Sequence, residues 1–158
     1  MDVAVVKLPA LLDVAAQLQG EAARLAQLDV IDTKEMGVAL ALVGSFSSTA
    51  QGAADSYEAS LAGQNGPHIK SVLADVTAQM QAAALEFSSA VSTVIAAPDV
   101  AARRSAMAAV DAKGKALAES VDKGFASTNA ELIGLLTQRI DGLQFKLVAT
   151  LGAATALV

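Results

Sequence analysis

The chain has 158 residues, a length typical of one domain, and 54% of them are hydrophobic, with a mean hydropathy of +0.49. It has no Cys and a single His, which excludes disulfides, thiolate catalysis, Cys-based zinc sites and His–His metal sites. The net charge of −5 argues against nucleic acid as a partner. Ala accounts for 36 residues and aromatic residues are scarce, so the composition predicts an all-α protein.

The first predicted helix runs from about residue 2 to residue 28. Apolar residues recur every seven positions in two rows, the pattern of a helix packed in a bundle. One row is Leu8, Ala15 and Ala22, and the other is Leu11, Leu18 and Leu25. Pro9 fits the first turn if the helix begins near Lys7, whereas it would kink a helix that begins at Asp2.

The second helix is predicted to open at Asp32. The run Asp32-Thr33-Lys34-Glu35 has the spacing of a capping box, an acceptor at the N-cap followed by Glu three residues later. Its two apolar rows are predicted as Met36, Val43, Ala50 and Tyr57, and as Leu40, Ser47, Ala54 and Leu61. Gly63 to Pro67 is the clearest turn of the sequence, since Gly commonly closes a helix and Pro begins one.

The third helix is predicted from Pro67 to about Ala96. Its apolar stripe is Ile69, Leu73, Val76, Met80, Ala83, Phe87, Val91 and Val94. Pro98-Asp99 ends it, and Asp99 is the expected N-cap of the fourth helix.

The fourth helix meets no breaker from Val100 to Val158, about twice the length of each of the other three. At 1.5 Å per residue the others span about 40–45 Å. We therefore predict an all-α, antiparallel, up-down-up-down four-helix bundle with an over-long fourth helix. Its last 25 or so residues extend past the bundle toward a partner helix, a second chain or a membrane.

Nine of the eleven Gly residues fall inside predicted helices, where each costs roughly 0.5–1 kcal/mol relative to Ala. Two explanations are open. The Gly residues either allow neighbouring helices to approach closely, or keep the bundle adjustable so that helices can shift.

Two short patches suggest a family. Met1-Asp2 followed by Leu8-Pro9-Ala10-Leu11-Leu12, and the run from Leu135 to Leu143 before an apolar stretch, resemble the helical extracytoplasmic sensor regions of bacterial transmembrane receptors. These receptors are methyl-accepting chemotaxis proteins and related sensor kinases. In that family Arg often precedes Gly after the Leu-Pro patch. Here Gln19 precedes Gly20, so no ligand-binding role is carried over to that position.

The resemblance implies a ligand-sensing, signal-transmitting domain on the periplasmic side of the inner membrane. A small molecule of unknown identity would bind the bundle, a homodimer would form, and the fourth helix would pass a small shift to the membrane at the C-terminal end. Residues 1–146 then form the sensor bundle. Residues 147–158 are an apolar continuation, either a buried helix end or the start of a truncated transmembrane span.

The ligand is expected at the end of the bundle away from that continuation, where loops 29–32 and 97–99 meet. Four basic residues fall near it: Arg24, Lys34, Arg103 and Arg104. The heptad position of Arg103 predicts an inward side chain that could receive a carboxylate with two hydrogen bonds. The alternative is an ion pair with a nearby carboxylate, whose candidates are Asp29, Asp32, Glu35 and Asp99. Tyr57 is expected in the core, and His68 is expected to be exposed.

The sequence contains no Gly-rich phosphate loop, no nucleophile elbow and no paired catalytic carboxylates, so we expect no enzyme, cofactor or metal. Two other functions remain open. A phasin-like structural protein that coats a hydrophobic surface would share this composition, and so would a helical adaptor without a small ligand.

Overall fold

The structure is a computed structural model that describes the backbone of residues 6–62 and 67–155 and the side chains of residues 6–60 and 70–146. Its described part contains four α-helices and no strand: α1 (Leu8–Leu25), α2 (Thr33–Ala62), α3 (Pro67–Ala96) and α4 (Val100–Thr155). The all-α class and the four helices are confirmed. The predicted turn at 63–66 and the side chain of His68 lie outside the described residues.

The start of α1 agrees with the alternative in which the helix begins near Lys7, whereas its end differs from the prediction. The α-helix begins at Leu8, preceded by the π-helical residues Val6 and Lys7, so Pro9 lies in the first turn, where a proline is tolerated. The predicted end at residue 28 is wrong, because α1 ends at Leu25. There the hydrogen bonds tighten to a three-residue spacing, with the Leu28 N–H donating to the Leu25 carbonyl at 3.2 Å.

Both predicted N-caps are confirmed. The Glu35 N–H donates to the Asp32 carboxylate at 2.7 Å, and the Asp32 N–H donates to the Glu35 carboxylate at 3.2 Å, which completes the capping box. At the start of α4, the Ala102 N–H donates to the Asp99 carboxylate at 2.8 Å. These bonds satisfy N–H groups that the first helical turn leaves without a partner.

All four helices contribute to one core. Its largest fully buried side chains are Tyr57, Phe46, Phe87, Leu8, Leu11, Leu18, Leu25, Met80, Leu117, Val91, Val94 and Val110. Phe46 of α2 and Phe87 of α3 meet edge to face, with ring centroids 5.3 Å apart and an interplanar angle of 67°. This is a favoured geometry for aromatic pairs. The predicted rows of α1 are buried, as is the stripe of α3 apart from half-buried Ala83 and Ile69, whose side chain is not described.

The predicted rows of α2 are only partly right. Tyr57 and Ala54 are buried, whereas Met36 and Leu40 are 39% and 55% exposed and Ser47 is also exposed. The side chain of Leu61 is not described. An adjacent row, of Ala39, Phe46 and Ala53, is buried instead. The helix is turned by about one position from the predicted register. Burying the Phe46 ring against Phe87 removes more apolar surface from water than burying Leu40 would, because aromatic side chains carry more area.

α4 has 56 residues, against 30 each for α2 and α3. Tyr57, near the end of α2, contacts Thr128 of α4. Beyond that level the α4 side chains become exposed by degrees. Leu132 and Leu135 are half-buried, and every residue from 136 to 146 is exposed. We call residues 133–155 the α4 extension. No helix in the described part has an apolar stretch long enough to cross a membrane.

The described helical Gly residues fall into two groups. A Cβ on Gly124 would lie 3.1 Å from Val76 and 3.3 Å from the Tyr57 hydroxyl, and one on Gly114 would lie 3.1 Å from Gln19. At these two positions close approach explains the Gly. The other six would meet nothing within 4 Å: Gly20, Gly37, Gly44, Gly52, Gly134 and Gly142. Close approach therefore does not explain them.

Candidate functional site

The sequence places the candidate site where two loops meet, the α1–α2 loop (26–32) and the α3–α4 loop (97–99). We call this the loop end of the bundle. Arg103, in the first turn of α4, is its central side chain and is only 3% exposed, as its heptad position predicts. Its guanidinium donates to the carbonyls of Leu28, Asp29 and Ala97, the last two at 3.2 and 3.3 Å.

The partners of Arg103 are therefore backbone carbonyls rather than the carboxylates that the sequence suggested as ion-pair partners. Carbonyls at and just beyond a helix C-terminus carry partial negative charge and lack partners within the helix. A buried guanidinium supplies several donors to them at once. Its Nε atom is buried without a hydrogen-bond partner among the described atoms. Arg103 thus ties both loops to the start of α4.

Arg24 lies at the same end, in the last turn of α1. Its guanidinium donates to the Glu21 carboxylate at 2.8 and 2.9 Å and to the Glu35 carboxylate at 3.0 Å. The hydrogen bonds from Arg24 lower the pKa of Glu21, and those to Glu21 and Glu35 raise the pKa of Arg24. The donors of Arg24 are thus already directed at protein carboxylates, and they link α1 to the first turn of α2.

Lys34 and Arg104 are the other two predicted site residues, and both are exposed. Lys34 lies in the first turn of α2, beside Glu35, and Arg104 follows Arg103 in α4. All four basic residues therefore lie at the loop end, as predicted, but their environments differ. The guanidinium groups of Arg103 and Arg24 donate hydrogen bonds to carbonyls and carboxylates of the protein, whereas the side chains of Lys34 and Arg104 are exposed to solvent.

An open groove of about 560 Å³ runs along α3 and α4 beside the loop end. It is lined by Ser89, Ser92, Thr93, Ala96, Ala97, Pro98, Ala102 and Ala106. The Ser92 and Thr93 hydroxyls donate to carbonyls one turn earlier in α3, at 2.9 and 3.0 Å. Their oxygens remain able to accept a hydrogen bond.

A second groove, of about 340 Å³, lies between α2 and α3 at the level of Phe46. Apolar Phe46, Ala50, Ala84 and Leu85 line it together with polar Ser47, Gln51, Gln81 and Ser88. The sequence analysis missed this groove, because the predicted register of α2 put Ser47 in the core. Ser47 and Gln51 are one helical turn apart and so lie on the same side of α2. This spacing is the sequence signal that indicates a polar side of the helix next to the groove.

Tyr57 is buried in the core, as predicted, with its hydroxyl 3.2 Å from that of Thr128. Burial raises the pKa of Tyr57. No cluster of three or more His, Asp or Glu residues that could hold a metal ion occurs among the described residues. The described arrangement offers two open grooves to a small molecule and holds the two loops together by hydrogen bonds.

We found no match to this chain among protein-family models, curated proteins or solved structures. The resemblance to receptor sensor regions therefore remains a prediction from the two sequence patches.

Proposed function

We propose that this chain is a ligand-sensing, signal-transmitting domain of a bacterial transmembrane receptor of the chemotaxis or sensor-kinase type. It acts on the periplasmic side of the inner membrane and has no catalytic role of its own. The observation that carries the proposal is the continuity of α4 from Val100 to Thr155. One continuous helix thus runs from the candidate ligand site, past the other helices, toward the C-terminal end.

The contacts of α4 support the predicted antiparallel, up-down-up-down order. Along α3 and α4, Ala97 meets Arg103, Glu86 meets Lys113 at 2.7 Å, and Val76 lies beside Gly124. The residue number in α3 decreases as the residue number of its partner in α4 increases, which is the pattern of antiparallel neighbours. α1 follows the same rule against α4, with Leu28 at Arg103 and Gln19 at Asp111.

Arg103 gives the loop end a mechanical link to α4. A ligand that binds one arrangement of the two loops better than another shifts the equilibrium between them, by no more than its difference in affinity. Because Arg103 holds both loops, α4 moves with them. Displacements of about 1–2 Å are typical of helix shifts in such transitions. Exposed Lys34 and Arg104 favour an anionic ligand.

A thermal-unfolding screen of the purified chain tests this proposal, with organic acids, amino acids and nitrogen oxyanions as probes. A ligand present at 100 times its Kd stabilises the folded state by about 2.7 kcal/mol. We expect at least one probe to raise the unfolding temperature in a saturable way. A flat response across the whole screen would contradict direct ligand sensing and would favour the adaptor role.

Coating of a hydrophobic surface is the second candidate, and large apolar side chains exposed on several helices favour it. Leu40, Leu85 and Phe145 are 55%, 73% and 76% exposed. Oil droplets stabilised with the chain, compared with droplets alone, test this role. We expect no gain in droplet stability if the chain is a sensor, and a saturating coat would support the second candidate instead.

A further inference from the structure

The groove between α2 and α3, which we call the α2–α3 groove, lies away from the loop end. Its volume of about 340 Å³ falls within the range of small-molecule pockets, about 300–1,000 Å³. Phe46, which lines it, follows the first residue of α2, Thr33, by 13 positions. At 1.5 Å per residue this is about 20 Å along the helix. A small molecule in the α2–α3 groove would therefore occupy a different site from one bound at the loop end.

The sizes of the side chains explain why this groove exists. Phe46 and Phe87 fill the space between α2 and α3 at one level, with ring centroids 5.3 Å apart. About one helical turn away from them, the residues that line the groove are Ala50 of α2 and Ala84 of α3. Two methyl groups fill much less volume than two rings, so a gap that the rings close at one level stays open at the next. The groove thus has an apolar floor, formed by Phe46, Ala50 and Ala84.

Polar side chains with unused hydrogen-bonding groups surround this floor. Ser47, Gln81 and Ser88 make no side-chain hydrogen bond within the described part of the chain. The Thr77 and Ser92 hydroxyls of α3, by contrast, donate to carbonyls one turn earlier. Gln81 and Ser88 are half-buried. Burial of an amide or a hydroxyl is costly unless another group replaces the hydrogen bonds it made to water, so this rim favours a ligand with its own donors and acceptors.

None of the described residues that line the α2–α3 groove is charged. Residues 36–54 of α2 and 76–85 of α3 contain no charged residue at all. The next charged residue along α2, Asp55, does not line the groove, and Glu86 of α3 pairs with Lys113 of α4 at 2.7 Å. A charged ligand would lose hydration in this groove without gaining an opposite charge. The lining therefore favours an uncharged molecule, whereas exposed Lys and Arg side chains at the loop end favour an anion.

We propose that the α2–α3 groove binds an uncharged, flat aromatic molecule that carries an amide group. Its ring packs on the apolar floor, where Phe46 offers an aromatic contact. Its amide has both a donor and an acceptor, as the Gln81 side chain has, so the two can form a pair of hydrogen bonds. Gln51 donates to Asp55 at 2.7 Å, which leaves its amide oxygen able to accept a further bond. This site goes beyond the proposed function, because it takes a different class of molecule and does not involve the loop end.

The extent of the apolar floor argues for a small molecule rather than a protein as the occupant. A stable protein interface takes about 800 Å² from each partner and has an apolar centre. In the α2–α3 groove the floor is bordered by four polar side chains, Ser47, Gln51, Gln81 and Ser88. Leu85, which is 73% exposed, is the one large apolar side chain of the described lining that is open to solvent. Apolar contact is thus limited to an area that one aromatic ring can cover.

Titration of the full chain with benzamide, followed by amide NMR, tests this site. Benzamide is flat, aromatic and uncharged, and benzoate is the matched probe, because it has nearly the same shape and carries a negative charge. A molecule of this size commonly binds with a Kd on the order of 1 mM, a range that NMR titration can measure. We expect benzamide to cause saturable shifts confined to amides near residues 46–51 and 81–88. Benzoate should bind there at least ten-fold more weakly.

Two groove variants have matched controls on the same helices. Ala50→Leu fills the groove and Gln81→Ala removes the amide, whereas Ala41→Leu and Gln79→Ala make the same changes at exposed positions that do not line it. We expect Ala50→Leu to raise the Kd of benzamide at least ten-fold and Gln81→Ala at least three-fold, with both controls within two-fold of the wild type. Spectra without the probe check that each variant is folded. Gln81→Ala only removes atoms from a half-buried side chain, so it keeps the test decisive if Ala50→Leu disturbs the packing.

Several outcomes would overturn the proposal. One is equal affinity for benzamide and benzoate at these amides, and another is an equal Kd in the groove variants and their controls. Shifts of the same amides in place of the benzamide response, either on raising the concentration of the chain or on adding phosphatidylcholine vesicles, would assign the groove to a second copy or to a lipid surface. A flat response to anions in the thermal-unfolding screen leaves all these results unchanged, so failure of the proposed function and failure of this site are distinguishable.

Discussion

The hydroxyl oxygens of Tyr57 and Thr128 lie 3.2 Å apart and join α2 to α4 close to the level where α4 leaves the other helices. The Thr128 hydroxyl also donates to the Gly124 carbonyl at 2.8 Å. A hydroxyl has one proton, so Tyr57 is the donor in its bond to Thr128. This contact of α2 with α4 is therefore a directed, partly buried hydrogen bond.

Tyr57→Phe should lower the free energy of unfolding by about 1 kcal/mol, since it keeps the ring and removes one partly buried hydrogen bond. Urea denaturation followed by circular dichroism measures the change. Thr128→Val and the double variant complete a cycle, in which we expect the two losses to be less than additive. Fully additive losses would mean that the two hydroxyls do not interact.

The same tyrosine predicts a dependence on alkaline pH. Burial raises the pKa of Tyr57 in the folded state. The stability from its neutral form is therefore fully present below the ordinary tyrosine pKa of about 10 and is lost as pH rises through the raised value. Between pH about 10 and the raised pKa, the free energy of unfolding should fall more steeply with pH in the wild type than in Tyr57→Phe. An equal dependence on pH in the two proteins would contradict the burial of the Tyr57 side chain.

Replacement of Gly by Ala should separate the two groups of helical glycines. Gly37→Ala and Gly44→Ala enter open space, so each should stabilise the chain by about 0.5–1 kcal/mol through helix propensity. Gly124→Ala should destabilise by about 1–3 kcal/mol, since its methyl group would press on Val76 and the Tyr57 hydroxyl. Thermal unfolding of the single variants measures both signs. Destabilisation at Gly37 and Gly44 would point to a surface contact at those positions.

Arg103 and Arg104 are adjacent in sequence but should differ sharply in their effect on stability. Arg103→Ala should cost about 2–3 kcal/mol, because three carbonyls lose a charged donor. Arg104→Ala changes an exposed side chain and should stay within about 0.5 kcal/mol of the wild type. Urea denaturation of both variants checks the contrast, and equal effects would show that Arg103 does not hold the loops.

Local sequence signals predicted the helix starts well. The capping box at Asp32, the cap at Asp99 and the bounds of α3 depend on neighbouring residues, so they could be read directly from the sequence. The register of α2 could not, because two adjacent rows compete to be buried. The choice between them depends on where Phe87 lies, and Phe87 is 41 positions after Phe46 in the chain.

The candidate site was predictable only in part. Heptad counting placed Arg103 inward, and closeness in sequence to the two loops placed all four basic residues near one end. The structure agrees on both points. The partners of Arg103 depend on the path of two loops, which bring carbonyls rather than carboxylates to it. Sequence spacing contains no information on that path, and this is why the expected ion pair was replaced by hydrogen bonds to the backbone.

In the proposed function a small anionic ligand binds at the loop end and acts on α4. The most direct test of this binding is the ligand-induced rise in unfolding temperature, compared among the wild type, the Lys34→Ala/Arg104→Ala double variant and a Lys123→Ala control. Lys123 is exposed elsewhere on α4, so the control removes charge without touching the loop end. We predict that the rise is retained in the control and lost in the double variant, with ligand-free unfolding temperatures unchanged. An equal rise in all three would contradict binding of the ligand at the loop end.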